Sequence, residues 1–115
     1  RPKIIVAEYN GNFGPRALWK MPYNETNNWK LRRDNYFGAS FSTLNELFEK
    51  YGYKLICCNS DTGVNLFLVR KEYGLEIREI INLESVNIFE APHYALSIFS
   101  KTHKLSKRML KDITN

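Results

Sequence analysis

Glu8 is the first side chain in this sequence whose type and place could serve chemistry. It closes the run KIIVAEY over residues 3–9. A carboxylate at the carboxyl end of a buried strand is where open α/β sheets put ligand-binding groups. The competing reading is a carboxylate that simply ends the strand in water. Further on, Lys30, Arg32 and Arg33 form a basic cluster that could meet an anionic group or form a solvated loop face. Cys57 and Cys58 are adjacent in an apolar run. Neighbouring strand residues point to opposite faces, so the pair does not suit a disulfide. They read as small buried hydrophobes of a protein kept in a reducing cytoplasm. His93 and His103 are the only histidines, and neither has metal-ligand spacing, so no metal is expected. Asn24-Glu25-Thr26 fits a glycosylation acceptor triplet, but no secretory signal accompanies it.

The elements that must position these groups are legible. In residues 3–9, Ile4 and Val6 take one face and Ile5 and Ala7 the other, the pattern of a strand covered on both sides. Residues 40–51 carry Phe41, Leu44, Leu47, Phe48 and Tyr51 at helical spacing. Ser40 or Ser42 can cap that helix, and Gly52 can end it with a left-handed residue. The packing face is expected through Leu44, Leu47 and Phe48. YKLICC and VNLFLV then read as two buried strands, 53–59 and 64–70, joined by Ser60-Asp61-Thr62-Gly63. Residues 10–38 are a long connection rich in Gly, Asn, Pro and aromatic residues. Its Phe13, Trp19, Tyr23, Trp29, Tyr36 and Phe37 predict a packed loop that drapes over a site or covers part of the sheet. Residues 76–83 fit a short helix or an extra strand, and residues 94–113 read as helical.

Length bounds the chain to one domain of 115 residues, with 43% hydrophobic and 25% charged residues, ordinary for a globular protein. No apolar run is long enough to span a membrane, so no membrane partner is expected. The net charge is +5, but residues 101–115 hold +4 of it and the rest of the chain is nearly balanced. A balanced body disfavours a nucleic-acid groove. The chain opens at Arg1 and enters a strand pattern almost at once, which suggests a piece of a longer protein.

The order strand, helix, strand, strand resembles the C-terminal half of a class I S-adenosylmethionine-dependent methyltransferase. Local residues sharpen the likeness to a bacterial group related to FkbM-type methyltransferases. They are Glu8-Tyr9-Asn10, Pro22-Tyr23, Tyr36-Phe37-Gly38-Ala39-Ser40, Gly52-Tyr53, Cys58, and Gly63-Val64-Asn65 before Phe67-Leu68-Val69-Arg70. The likeness covers residues 3–73; residues 74–115 are a variable helical extension with a basic tail. It implies a three-layer, Rossmann-like partial sheet, β-α-β-β with an antiparallel last strand. Strand 64–70 should then lie between 3–9 and 53–59. The resemblance also implies that Glu8 and Asn10 sit at a substrate crevice with Tyr23, Tyr36 and Asn65 nearby.

One departure limits what this implies. In the family the cofactor is held mainly by a Gly-rich turn and an acidic residue in the first half of the sheet. Nothing in this sequence supplies them, and Gly11 and Gly14 precede no helix signal. S-adenosylmethionine is therefore implied for a full-length protein and not for this chain alone. The expected function is the substrate-side half of a methyltransferase-like protein that modifies a glycan or small metabolite. The alternative is a non-catalytic interaction or oligomerisation domain on an incomplete sheet. Expected partners are a missing N-terminal half or a second copy, and a small-molecule or glycan substrate.

Overall fold

The computed structural model describes residues 1–76, 84–92 and 106–114. Its centre is a three-stranded sheet of β1 (Ile4–Glu8), β2 (Tyr53–Cys58) and β3 (Asn65–Arg70). The order is β1-β3-β2, and β3 runs antiparallel to both neighbours. The last strand in sequence is thus the middle one in space, as its doubly apolar run suggests. Helix α1 (Trp29–Arg32) lies in the long connection and α2 (Phe41–Lys50) in the crossover between β1 and β2. After β3 come a 3-10 turn (Lys71–Glu76), α3 (Ser85–Ile88) and α4 (Lys107–Thr114). The expectation for residues 76–83 lies almost wholly outside the described residues, and that for 94–113 is described only from residue 106.

Ser40 starts α2. Its hydroxyl oxygen accepts from the Thr43 amide at 3.4 Å and from the Trp19 amide at 3.0 Å, while its own proton goes to the Ala17 carbonyl at 2.6 Å. Gly52 ends the helix at φ +84°, a conformation that favours glycine. The packing face is Phe41, Leu44 and Phe48. Leu47 was expected on that face and is 45% exposed, because the stripe centres on Phe41 and Phe48 and leaves Leu47 on its flank.

The main core gathers Tyr9, Phe41, Tyr53, Leu55, Leu66 and Leu68 with Ile88 of α3. It lies on one face of the sheet, where register aligns Ile5, Leu68 and Leu55. On the other face Ile4 and Val6 are 62% and 55% exposed, so among the described residues the apolar pattern of β1 is covered on one side only. Cys57 and Cys58 lie on opposite faces, and the bulge at Ile56 turns Cys58 to the core and leaves Cys57 exposed, both free thiols.

The long connection packs, but not on the sheet. Phe13, Tyr36 and Met109 of α4 form a second small core, with Trp19 stacked on Phe13 at 4.8 Å between ring centres. Among the described residues no helix is long and apolar enough to cross a membrane.

Candidate functional site

The structure separates the five residues expected at the crevice. Glu8 and Asn65 face each other across β1 and β3. The next pair outward is hydrogen-bonded, with the Tyr9 amide donating to the Val64 carbonyl at 2.7 Å. Glu8 and Asn65 are therefore a non-hydrogen-bonded pair, the type whose side chains approach more closely. Glu8 is exposed and Asn65 half-buried on the open face of the sheet.

Asn10 is different. Its side chain is buried and its hydrogen-bonding groups are engaged. The amide nitrogen donates to the carbonyls of Asn35 and Phe37, each at 2.9 Å. The oxygen accepts from the backbone and side-chain nitrogens of Asn12 at 3.0 and 2.7 Å. Asn35 in turn accepts the Ser106 amide at 2.7 Å, and Ser106 accepts the Arg108 amide at 3.2 Å at the start of α4. Asn10 is a strut that ties the end of β1 through the long connection to α4. It does not face a ligand.

The turn after β1 is closely approached by another part of the chain. A Cβ on Gly11 would lie 2.1 Å from Pro92 Cγ, so the glycine exists to let the proline in. Gly63 has φ +71°, and a Cβ there would lie 2.6 Å from the Ala91 carbonyl oxygen. Val64 follows at φ +60°, rare for a β-branched residue, and the Asn65 amide bonds back to the Gly63 carbonyl at 2.9 Å. Both loops at this end are thus filled by residues 91–92. No helix begins at Gly11–Gly14; the first after β1 is α1 at Trp29.

Cys58 is a free thiol buried in the core. Burial pushes its thiol pKa up, and Tyr9 beside it is raised by burial and then by Cys58 itself. The Tyr9 hydroxyl donates to the Glu90 carbonyl. A thiol held protonated in the core is inert.

Tyr23 and Tyr36 come together elsewhere, in a cleft of about 230 Å³ between the long connection and α4. Asn24, Asn27, Arg32 and Arg108 share its lining, and Met21 and Pro22 add apolar surface. Tyr23 is 87% exposed and Tyr36 is 8% exposed. Arg32 is held from three sides. Its Nε lies 3.4 Å from Asp34, one terminal nitrogen bonds Asn27 Oδ1, and the other donates to the Tyr36 carbonyl at 2.6 Å. Burial and then Asp112 raise the Tyr36 pKa, while Arg108 and Arg32 pull it back. Asp112 also accepts from the Trp19 indole at 2.9 Å. The cleft opens into a shallower depression of about 460 Å³ that adds Lys20 and Gly38.

Of the basic cluster in the connection, only Arg32 lines this cleft. Sequence reasoning missed Arg108, Asn27 and Asp112. Arg108 reaches the cleft, and Asp112 reaches Trp19 and Tyr36 beside it, through the docking of Met109, a contact between residues far apart in the chain that no local pattern announces. No family model, curated protein or solved structure matches this chain.

Proposed function

We propose that the chain is the substrate-side half of a methyltransferase-like protein acting on a glycan or small metabolite. The observation that supports this reading is the sheet: β1-β3-β2 with an antiparallel middle strand and α2 in the crossover. A simple meander in sequence order would have argued against it. In this reading the open face of the sheet receives the third layer of a doubly wound fold. The cofactor site belongs to sequence outside these residues. Glu8, beside Asn65 at the end of β1, is the carboxylate placed to take a proton from a substrate hydroxyl that comes within hydrogen-bond reach. The test is calorimetric titration of S-adenosylmethionine against this chain and against the product carrying whatever the gene encodes ahead of Arg1. Micromolar binding only by the longer product is expected. Failure of the longer product to bind, or a gene that encodes no strand and Gly-rich turn upstream, would sink the proposal.

A second reading, an interaction or oligomerisation domain, is favoured by β1. Lys3 and Tyr9 direct their backbone groups to β3. By alternation Ile4, Val6 and Glu8 turn theirs to the other edge. Among the described residues no strand pairs with that edge, and a free edge flanked by exposed Ile4 and Val6 is a template for another strand. Light scattering at tens of micromolar is expected to show association that Val6→Lys abolishes. A strictly monomeric chain with slow amide exchange at Ile4 and Val6 counts against it.

A further inference from the structure

We propose that the cleft between the long connection and α4 binds a small molecule through a terminal oxyanion, phosphate or carboxylate, with an apolar or aromatic body against Tyr23. The proposal stands whether or not the methyltransferase reading does.

Charge is the first argument. Arg32 and Arg108 both line the cleft and Lys20 stands in its extension, while no carboxylate of the described residues lines either part. Asp34 pairs with Arg32, and Asp112 accepts from the Trp19 indole and raises the pKa of Tyr36 in the lining.

Preorganisation is the second. A guanidinium carries five N–H donors. The three contacts to Asp34, Asn27 and the Tyr36 carbonyl fix the plane of Arg32 and leave donors on both terminal nitrogens. That is the fork geometry that carboxylate and phosphate match. Asn10 holds Asn35, and Asn35 holds the start of α4, so Arg108 is carried to the cleft by a buried hydrogen-bond chain.

Size and surface are the third. A volume of about 230 Å³ is below the range of drug-sized sites, so the occupant is small. Tyr23, with most of its ring in water, offers an aromatic face beside Met21 and Pro22. The packed loop gives that ring no burial of its own, and a ligand body would.

The test uses the 115-residue chain, with phenyl phosphate, benzoate and inorganic phosphate as probes, followed by amide shifts. Saturable shifts in residues 21–36 and 106–109 are expected with phenyl phosphate or benzoate, and the tighter of the two identifies the oxyanion. Inorganic phosphate should bind more weakly. Arg108→Gln should weaken binding by at least about tenfold, the loss of one charge-assisted bond. Tyr23→Ala should bring phenyl phosphate down to the level of inorganic phosphate. Lys111→Gln, which removes the same charge from α4 outside the cleft, should change nothing. Equal weakening by Lys111→Gln and Arg108→Gln would mean diffuse attraction to a basic helix and overturn the site. So would the absence of saturable shifts into the tens of millimolar.

Discussion

Asn10 shows what a single amide does in this protein. Its two N–H groups serve the carbonyls of Asn35 and Phe37, and its oxygen serves Asn12. Truncation leaves those carbonyls without their donor, at about 1–3 kcal/mol for each one that stays buried. Asn10→Ala is therefore expected to lower the urea midpoint more than any substitution of exposed Glu8. Asn10→Asp should be worse, since it sets a carboxylate against two carbonyl oxygens. The Tyr9 and Cys58 pair gives a second expectation. Both groups are held protonated, above their ordinary values of 10.0 and 9.0. The unfolded chain loses those protons first as pH rises, so stability falls once pH passes about 9. Melting midpoints should hold through neutral pH and decline above that point, and Cys58→Ala should delay the decline. At this scale the sequence was a partial guide. Glu8 could be placed because a strand end is a local property. Asn10 could not be told from a ligand-facing amide, because its partners lie 25 and 27 residues away.

Helix α2 carries the clearest test of an element. Phe41 is fully buried, touching Tyr9 edge-on at 5.4 Å and Phe89 at 5.2 Å. Phe41→Ala should cost about 3–5 kcal/mol. Leu47→Ala should fall within about 0.5 kcal/mol, as for other surface positions. Equal losses at the two sites would reverse the assigned face. Spacing alone placed the helix almost to the residue, since Ser40 and Gly52 mark its ends by side-chain and backbone chemistry. It could not rank Phe41 above Leu47, because both belong to the same broad apolar arc and only the sheet decides its centre. The strands were legible for the same reason as the helix. The covering of β1 was not: an apolar residue on a strand says what it would bury, not whether a neighbour is there.

Two cores share the molecule, one on the sheet and one between the long connection and α4. Met109 is fully buried in the second, with Phe13 and Tyr36. Met109→Ala should cost about 2–5 kcal/mol if the loss is shared by the whole domain. If the second core opens by itself, Trp19 fluorescence should change well before the sheet melts, and the two transitions will not coincide. The described part of the basic tail, residues 106–114, is therefore a docked helix. Met109 faces inward, and Lys107, Arg108 and Lys111 remain outside.

That docking has a consequence for how the chain is made. Synthesis runs from the N-terminus, so the helix that covers Phe13, Trp19 and Tyr36 leaves the ribosome well after they do. Until it does, a cluster of aromatic rings waits with nothing to close it. Release of a chain ending before Ser106 should leave that cluster open to water, to dyes that bind apolar surface, and to chaperones that recognise it. Chains that carry α4 should show none of this. Equal dye binding by the two would mean that the aromatics close without α4. Helix α4 thus acts as the seal on a surface laid down long before it.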